Sequence, residues 1–487
     1  MLAIVAFVIT LTAILKWLFD SYFASSRLPP GPRGLALVGN MFQIDGERPH
    51  LSFDTHAKAY GPIHFLRFGH VPVVSLNTFD AAREAMIKQA DNFSGRPYAF
   101  VFEHSFTDGF HGIVMTYGQK WKDLRRFALS VLRDFGFGKS RAAEIINIEM
   151  ENMIEEINVA TKSNTVPINP QRILQFTVAN IIMGILFDRS FKYGDDEMVK
   201  FMELMAETIL LETKVQYLNF WPWLRFILPE AKRGLAKIDQ NRVFHDSFFN
   251  GEIDRHIAAL KNEKDIPNDF TTRFLQEINK IREAKPETAS ANQTDTFNRE
   301  ELRVVLFELF VAGFETTANT LMFLLLYVAY YPDIQDRVAA ELVKVNPNKR
   351  ATFDWEDRNA AAFTNAVVME TQRLASVVPL GVFHKTISDA KLFKYDIPAN
   401  AWIVLNQWSI VRDPEIFPNP NQFNPSRFLE ESGATPDQLR TRREAVVSFG
   451  LENARVWAKI WHGWSCFWRR QLSSRNFEFV SLKCPSD

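Results

Sequence analysis

The alternation of apolar and polar residues predicts a mostly helical chain with a small β region. Two short β-rich runs at 63–68 and 71–76, separated by Gly69, predict a strand pair. From Phe79 onward, apolar residues recur with helical spacing. The segments with this spacing lie at about 80–90, 120–135, 140–160, 169–188, 196–213, 233–262, 269–283 and 359–375. Further strands are predicted at about 391–397 and 401–405.

A strongly apolar segment at 299–331 predicts one long helix. Its length and composition suit either the buried centre of a globular domain or a membrane span. Charges interrupt it at Glu301, Arg303, Glu308 and Glu315. Because each charge costs about 2.5–3.5 kcal/mol at the centre of a bilayer, we expect a buried core helix.

The start of the chain carries an apolar segment that predicts a membrane anchor. Residues 1–15 contain no charge, and Trp17–Phe19 extends the run past Lys16. A spanning helix needs about 20 mostly apolar residues, a length reached if the Lys16 ammonium extends to the interface. A cleaved signal peptide is the alternative, but no positive charge precedes the apolar run. The positive charges that follow the run predict a cytosolic main domain.

Composition supports a globular protein behind this anchor. We predict an anchor at 1–24, a proline-rich hinge at 25–40 and a single domain at 41–487. Of the 487 residues, 47% are hydrophobic and 23% charged, which suits a packed core. The net charge of −1 argues against nucleic acid as a partner. Two cysteines, Cys466 and Cys484, are too few for a secreted disulfide framework.

The hexapeptide Ala312-Gly-Phe-Glu-Thr-Thr317 lies midway along the long predicted helix. Ala312 and Thr316 are four residues apart and share a face, and the small residues Ala312 and Gly313 leave room for a flat group. Thr316 can hydrogen-bond the carbonyl four residues before it. Glu315 beside this hydroxyl can relay protons. The alternative is a helix packed through small residues, with Glu315 in an ordinary ion pair.

Two other pairs of residues share a helical face. Trp121 and Arg125 are four residues apart, and both side chains are donors, which suits a carboxylate ligand. A core-facing tryptophan beside a surface arginine explains the same spacing. Glu370 and Arg373 are three apart and can form an ion pair, which is common on solvated helices.

These motifs, in this order, resemble the cytochrome P450 family over residues 1–451. The resemblance rests on the hinge Leu28–Gly34, Trp121-x-x-x-Arg125, Ala312–Thr317, Glu370-x-x-Arg373 and Phe423–Phe428. It implies a mainly α fold, the cytochrome P450 fold, a triangular helical prism with a small β region, plus the N-terminal anchor helix. It also implies a haem-thiolate monooxygenase that inserts one atom of O₂ into an apolar small molecule.

The resemblance also assigns roles to residues and partners. Glu315 and Thr316 would handle protons at the catalytic centre. The cofactor haem b would be bound by Trp121, Arg125, Ala312, Gly313 and His384. Of these, Trp121, Arg125 and His384 would contact the haem propionates. A structural ion network would join Glu370, Arg373 and Arg427.

The implied setting is the endoplasmic reticulum membrane, with a single-pass anchor, a cytosolic domain and an NADPH-dependent reductase as the electron donor. The substrate class stays open between a sterol, a fatty acid and a xenobiotic. The aromatic-rich segment Val215–Leu228 would line the substrate site or contact the membrane surface.

The haem loop departs from the family pattern. The family pattern in this region is Phe-x-x-Gly-x-Arg-x-Cys-x-Gly. When its phenylalanine is placed on Phe449, within Ser448–Leu451, the cysteine position falls on Val456. The two glycines and the arginine are replaced as well, by Glu452, Ala458 and Ala454. Valine cannot supply the thiolate that ligates iron in this family, so the written chain has no metal ligand at the expected position.

A shifted reading frame restores the loop. Reading the codons of 452–472 one nucleotide earlier permits Gly-Lys-Arg-Gln-Cys-Leu-Gly, which looks like the missing segment. We therefore predict a lost nucleotide near Leu451 and a second slip before about Arg475, which makes about 452–475 aberrant. The alternatives are a catalytically dead, haem-free remnant, and a chain that binds haem through His462 or Cys466.

Overall fold

The structure is a computed structural model that describes residues 5, 8–12 and 27–448, except 36, 107–110, 136–140, 163–165, 264, 284–295 and 348–354. The chain divides into two compact units. Unit one is Met1–Pro97 with Pro379–Ile410, and unit two is Tyr98–Val378 with Val411–Asp487. Most of the predicted anchor and all of the haem loop after Ser448 lie outside the described residues.

Helices dominate the described chain. In order they are α1 Pro49–Tyr60, α2 Phe79–Arg83, α3 Ala90–Phe93, α4 Phe100–Phe106, α5 Gly118–Asp134, α6 Arg141–Ala160, α7 Gln171–Phe187, α8 Asp196–Val215, α9 Pro229–Asn262, α10 Phe270–Glu283, α11 Arg299–Tyr330, α12 Pro332–Val345, α13 Ala362–Ala375, α14 Gln407–Ile410 and α15 Pro436–Ala445. A π-helical turn, Glu84–Lys88, follows α2. Short 3₁₀ turns at Gln216–Asn219 and Pro222–Phe226 connect α8 to α9.

Unit one contains the small β region. Its strands are β1 Ile63–Phe68, β2 Val71–Leu76, β3 His384–Lys385, β4 Ala390–Leu392, β5 Tyr395–Ile397 and β6 Trp402–Leu405. One sheet has the order β1-β2-β6-β3, in which β2 and β6 are parallel, and β4 pairs with β5 in a separate hairpin. Gly69, with φ +60°, forms the turn between β1 and β2.

Unit two is organised around α11. The Asn298 side chain begins this helix by accepting a hydrogen bond from the Glu301 N–H at 3.0 Å. The helix carries apolar residues on all of its faces, which is typical of a helix surrounded by protein, and it packs mainly against α7. Among the described residues, α11 is the one helix long and apolar enough to cross a membrane. Its packing against α7 favours the predicted core helix over a membrane span.

The predicted class, mainly helical with a small β region, is confirmed. Strands β1 and β2 have the predicted bounds, and α11 ends one residue early. The single strand predicted at 391–397 is instead the hairpin of β4 and β5, because Phe393, with φ +53°, turns the chain there. Helix α12 was not predicted, although a proline such as Pro332 is well tolerated in a first helical turn.

Candidate functional site

The middle of α11 has an accessible face. Residues 301–310 are all buried, whereas Ala312, Glu315, Thr316 and Asn319 keep part of their surface accessible. Ala312, Thr316 and Asn319 follow the spacing of one helical face. The small side chain of Ala312 leaves the helix backbone open to a flat group lying against this face.

Two polar side chains on this part of α11 can hold protons. The Thr316 hydroxyl donates to the Ala312 carbonyl at 2.7 Å, which leaves its oxygen free to accept a further hydrogen bond. Burial raises the pKa of the Glu315 carboxyl, and the hydrogen bond from Asn319 Nδ2 to Oε2 at 3.2 Å opposes this only in part. Glu315 therefore keeps its proton to a higher pH than an ordinary glutamate, as a proton relay requires.

Gly313 has a packing role. A Cβ at this position would lie 2.9 Å from Cδ1 of Ile182 on α7. The glycine therefore lets α7 and α11 approach closely, which is the packing alternative raised for the small residues. Of the two small residues, Ala312 shares the accessible face with Thr316.

The first turn of α11 binds the segment 111–114 through Glu301, which is fully buried. Glu301 Oε2 accepts the N–H of Gly112 at 3.0 Å, and Oε1 contacts His111 and Lys120. Burial opposes the charge, but the hydrogen bonds from His111, Lys120 and Gly112 outweigh it and lower the pKa of this carboxyl. Glu301 is thus a structural carboxylate that stays ionised.

Glu308, two turns further along α11, holds the same segment. Its carboxylate accepts the N–H groups of Ile113 at 2.5 Å and Val114 at 3.2 Å. Gly112 passes directly over it with φ +81°, and a Cβ there would lie 2.3 Å from Glu308 Oε2. Only glycine fits this position without displacing the carboxylate.

Trp121 and Arg125 lie on one face of α5, where the sequence places them, and they contact each other. The Arg125 guanidinium lies 5.2 Å from the centre of the Trp121 ring. The Trp121 Nε1–H donates to the Ile113 carbonyl at 3.1 Å. The indole is therefore fixed against the segment that Glu308 holds, and a carboxylate ligand would have to compete with this carbonyl.

Glu370, Arg373 and Arg427 meet in a buried network. Arg373 Nε and Nη2 donate to the two oxygens of Glu370 at 2.7 and 2.9 Å, and Arg427 Nε donates to Oε1 at 3.0 Å. The backbone N–H of Asn424 donates to the same oxygen at 2.9 Å. Further guanidinium hydrogens go to the carbonyls of Val411, Pro418, Asn419 and Gln422.

His384 lies on β3 of unit one and is buried. Burial, then the charge of Arg96, holds the pKa of its imidazole far below the usual range, and a backbone hydrogen bond at Phe93 opposes this weakly. The ring is therefore neutral near pH 7. A neutral imidazole can still donate one N–H to an anionic group.

Sequence reasoning missed the contacts between α11 and the segment 111–114. The available signal was the pair Glu301 and Glu308, two charges seven residues apart in an apolar helix, which each need a partner when buried. The partners are mostly backbone N–H groups, which leave no trace in the sequence. The replaced loop positions, including Val456, lie outside the described residues, as do His462 and Cys466.

Most of the chain matches a single family of known proteins. Residues 29–451 match the family described as Cytochrome P450. Cytochrome P450 2C21 of Canis lupus familiaris is 32% identical over 433 residues, which cover 88% of this chain and 85% of that protein. Cytochrome P450 2C8 of Homo sapiens is 34% identical over 409 residues, 84% and 80% of the two chains. Cytochrome P450 2J2 of Homo sapiens is 33% identical over 430 residues, 87% and 80%.

Proposed function

This chain belongs to the cytochrome P450 family, and from that premise we propose that its architecture is that of a haem-thiolate monooxygenase. The reaction inserts one atom of O₂ into an apolar small molecule and reduces the other to water with two electrons and two protons. Haem b, when bound through a cysteine thiolate, supplies the activation of O₂. The observation that carries the proposal is the accessible face of Ala312 and Thr316 on an otherwise buried α11.

The proposed roles of Glu315 and Thr316 follow from their contacts. Burial raises the pKa of Glu315, so this carboxyl holds its proton to a higher pH than an ordinary glutamate and can release it to a more basic neighbour. The Thr316 oxygen can accept a hydrogen bond because its own proton is committed to the Ala312 carbonyl. Together they provide a route for protons to the accessible face.

The fit to haem is supported in unit two by Ala312, whose small side chain leaves a flat ligand room, and by the donors Trp121 and Arg125. These two side chains would hold a propionate once the Trp121 N–H exchanges its bond to the Ile113 carbonyl. His384, neutral and buried in unit one, is proposed as a further propionate donor.

The network of Glu370, Arg373 and Arg427 is proposed to support the fold around the haem and to take no part in the chemistry. All three side chains are buried and each makes several hydrogen bonds, which suits a structural role. Gly313 would contribute indirectly, through the close packing of α7 and α11.

The proposed setting is the endoplasmic reticulum membrane, with the main domain in the cytosol and an NADPH-dependent reductase as electron donor. The uncharged start of the chain and the positive charges that follow it support this orientation. Exposed apolar side chains between α8 and α9, such as Trp223, Phe226 and Ile227, are compatible with contact to a membrane surface.

The written chain lacks the ligand cysteine, so a second function is proposed beside the first. As written, the chain is a haem-free remnant, because Val456 stands at the cysteine position. The family match ends at residue 451, where the written sequence departs from the loop motif. This supports a frame error in the sequence that follows.

The CO spectrum of the reduced protein tests both functions. We expect the chain as written to give no thiolate-type band, because it has Val456 at the cysteine position. Val456→Cys alone should also give none, because Glu452 and Ala458 cannot adopt the positive φ of glycine cheaply. A chain with Gly-Lys-Arg-Gln-Cys-Leu-Gly from position 452 should give that band. A stable thiolate spectrum from Val456→Cys alone would remove the basis of the frame-error account. A restored chain that stays haem-free would contradict the proposed monooxygenase.

A further inference from the structure

Asn319 is a polar residue of the accessible face of α11 to which the proposed function gives no role. It lies one turn beyond Glu315, and part of its side chain is accessible on the same face as Ala312 and Thr316. Its Nδ2 donates to Glu315 Oε2 at 3.2 Å. Within the described part of the chain, this is the one side-chain hydrogen bond that Asn319 makes.

The hydroxyl groups on the neighbouring turns of α11 do not donate to Glu315. Thr316 donates to the Ala312 carbonyl at 2.7 Å, and Thr320 donates to the Thr316 carbonyl at 2.6 Å. A hydroxyl has a single proton to donate, so neither side chain has one left for the carboxyl. Among the residues that the structure describes, Asn319 is therefore the one donor to Glu315.

Charged groups on the surrounding helices do not hold this carboxyl either. Helices α7, α9, α10, α12 and α13 pack against α11, and no charged group on their described residues shifts the pKa of Glu315. Charges that approach α11 are paired elsewhere: Asp246 of α9 binds Arg303, and Glu370 of α13 binds Arg373. The hydrogen bond from Asn319 is thus the polar contact that opposes burial at Glu315.

This contact distinguishes the two oxygens of the protonated carboxyl. A protonated carboxyl has a carbonyl oxygen, which is the stronger acceptor, and a hydroxyl oxygen, which donates. Because Oε2 accepts the Asn319 N–H, Oε2 is the carbonyl oxygen and the proton lies on Oε1. Oε1 has no partner among the described residues, so its proton is available to an acceptor at the accessible face.

We propose that Asn319 is a positioning residue of the proton route: its amide holds the Glu315 carboxyl by Oε2 and thereby places the proton on Oε1. When that proton leaves, the same N–H donates to the carboxylate and stabilises the charged form. The inference deepens the proposed function, and it rests on that function for the use of the proton but not for its position.

Infrared spectroscopy of the full chain tests the contact directly. The carbonyl stretch of protonated carboxyls is followed as pH is changed, and subtraction of the spectrum of Glu315→Gln isolates the Glu315 band. A hydrogen bond to the carbonyl oxygen lowers the stretching frequency, so the native band should lie below that of an unbonded carboxylic acid in an apolar solvent. A native band at the unbonded frequency would overturn the proposal, even if every Asn319 variant failed to fold.

Three variants assign the effect to the amide. Asn319→Ala should move the Glu315 band to higher frequency and its titration midpoint to higher pH, because the carboxylate loses its donor. Asn319→Gln should restore both, since its amide can still donate from the same turn. Phe323→Ala is the control: this side chain, 38% exposed, lies on the next turn of the same face, so its loss opens the face without removing a donor.

The native band and midpoint in Asn319→Ala, or equal shifts in Phe323→Ala, would show that Asn319 does not position the carboxyl. A glutamine variant that behaves as the alanine variant does would also contradict a role for the amide. None of these measurements needs haem. If the shifts appear but the chain with the restored loop gives no thiolate-type CO band, the monooxygenase proposal fails alone. If that band appears and Asn319→Ala matches the native chain, this inference fails alone.

Discussion

The two regions of α11 shift the pKa of buried carboxylates in opposite directions. In the first turns, Glu301 is enclosed by donors from His111, Lys120 and Gly112, and its pKa is lowered although it is fully buried. Fourteen residues later, Glu315 receives a hydrogen bond from Asn319, and burial raises its pKa. The difference is the number of donors and not the depth of burial.

This contrast separates carboxylates that hold the fold from those that can change protonation state. A carboxylate with several short hydrogen bonds keeps its charge and fixes the chain around it. One with few donors can take up or lose a proton near neutral pH, which catalysis or ligand binding can use. Glu301, Glu308 and Glu370 hold the fold through their hydrogen bonds, and Glu315, whose pKa burial raises, is available for function.

Breaking the most donor-rich site should have the largest effect. Arg373→Ala leaves Glu370 buried without its main partner, which should lower the free energy of unfolding by about 3–5 kcal/mol. Arg440→Ala is the matched control, because its ion pair with Asp437 is exposed and should contribute about 0–1 kcal/mol. Thermal and urea unfolding of both variants measures the difference. Equal melting temperatures for Arg373→Ala and the native chain would show that the network does not stabilise the fold.

An intermediate effect is expected where the chain crosses Glu308. Gly112→Ala should destabilise the protein by about 2–3 kcal/mol, since it adds a clash with the Glu308 carboxylate to the strain of a positive φ. Gly118→Ala is the control, because Gly118 has φ +83° with nothing near its Cβ position, and it should cost about 1 kcal/mol. If both variants lose the same stability, Glu308 yields easily and does not hold the segment 111–114.

Local patterns were sufficient to predict α11 and the pair β1 and β2, because each has a strong periodicity over its whole length. Spacing also indicated that Glu370 and Arg373 can pair, but the third member, Arg427, came from the family resemblance, since it lies 54 residues away in an irregular segment. The contacts of the segment 111–114 could not be predicted, because they join backbone groups to side chains almost 200 residues distant. The packing role of Gly313 depends on Ile182 of another helix, which no pattern within α11 reveals.

The smallest effect should come from Glu315→Gln, and its sign tests the contrast directly. Because the folded chain holds this proton more tightly than the unfolded chain, the native protein loses stability as pH rises above the ordinary glutamate pKa of 4.5. Glutamine removes that loss, so the melting temperature of Glu315→Gln relative to the native chain should rise between about pH 4 and about pH 8. Partial exposure of Glu315 keeps the change small. Glu301→Gln should show the opposite trend, and it should do so below about pH 4.5, since the lowered pKa of Glu301 stabilises the native fold only as pH rises towards the ordinary glutamate value. Parallel pH profiles for the two variants would mean that donors do not distinguish the two regions of α11.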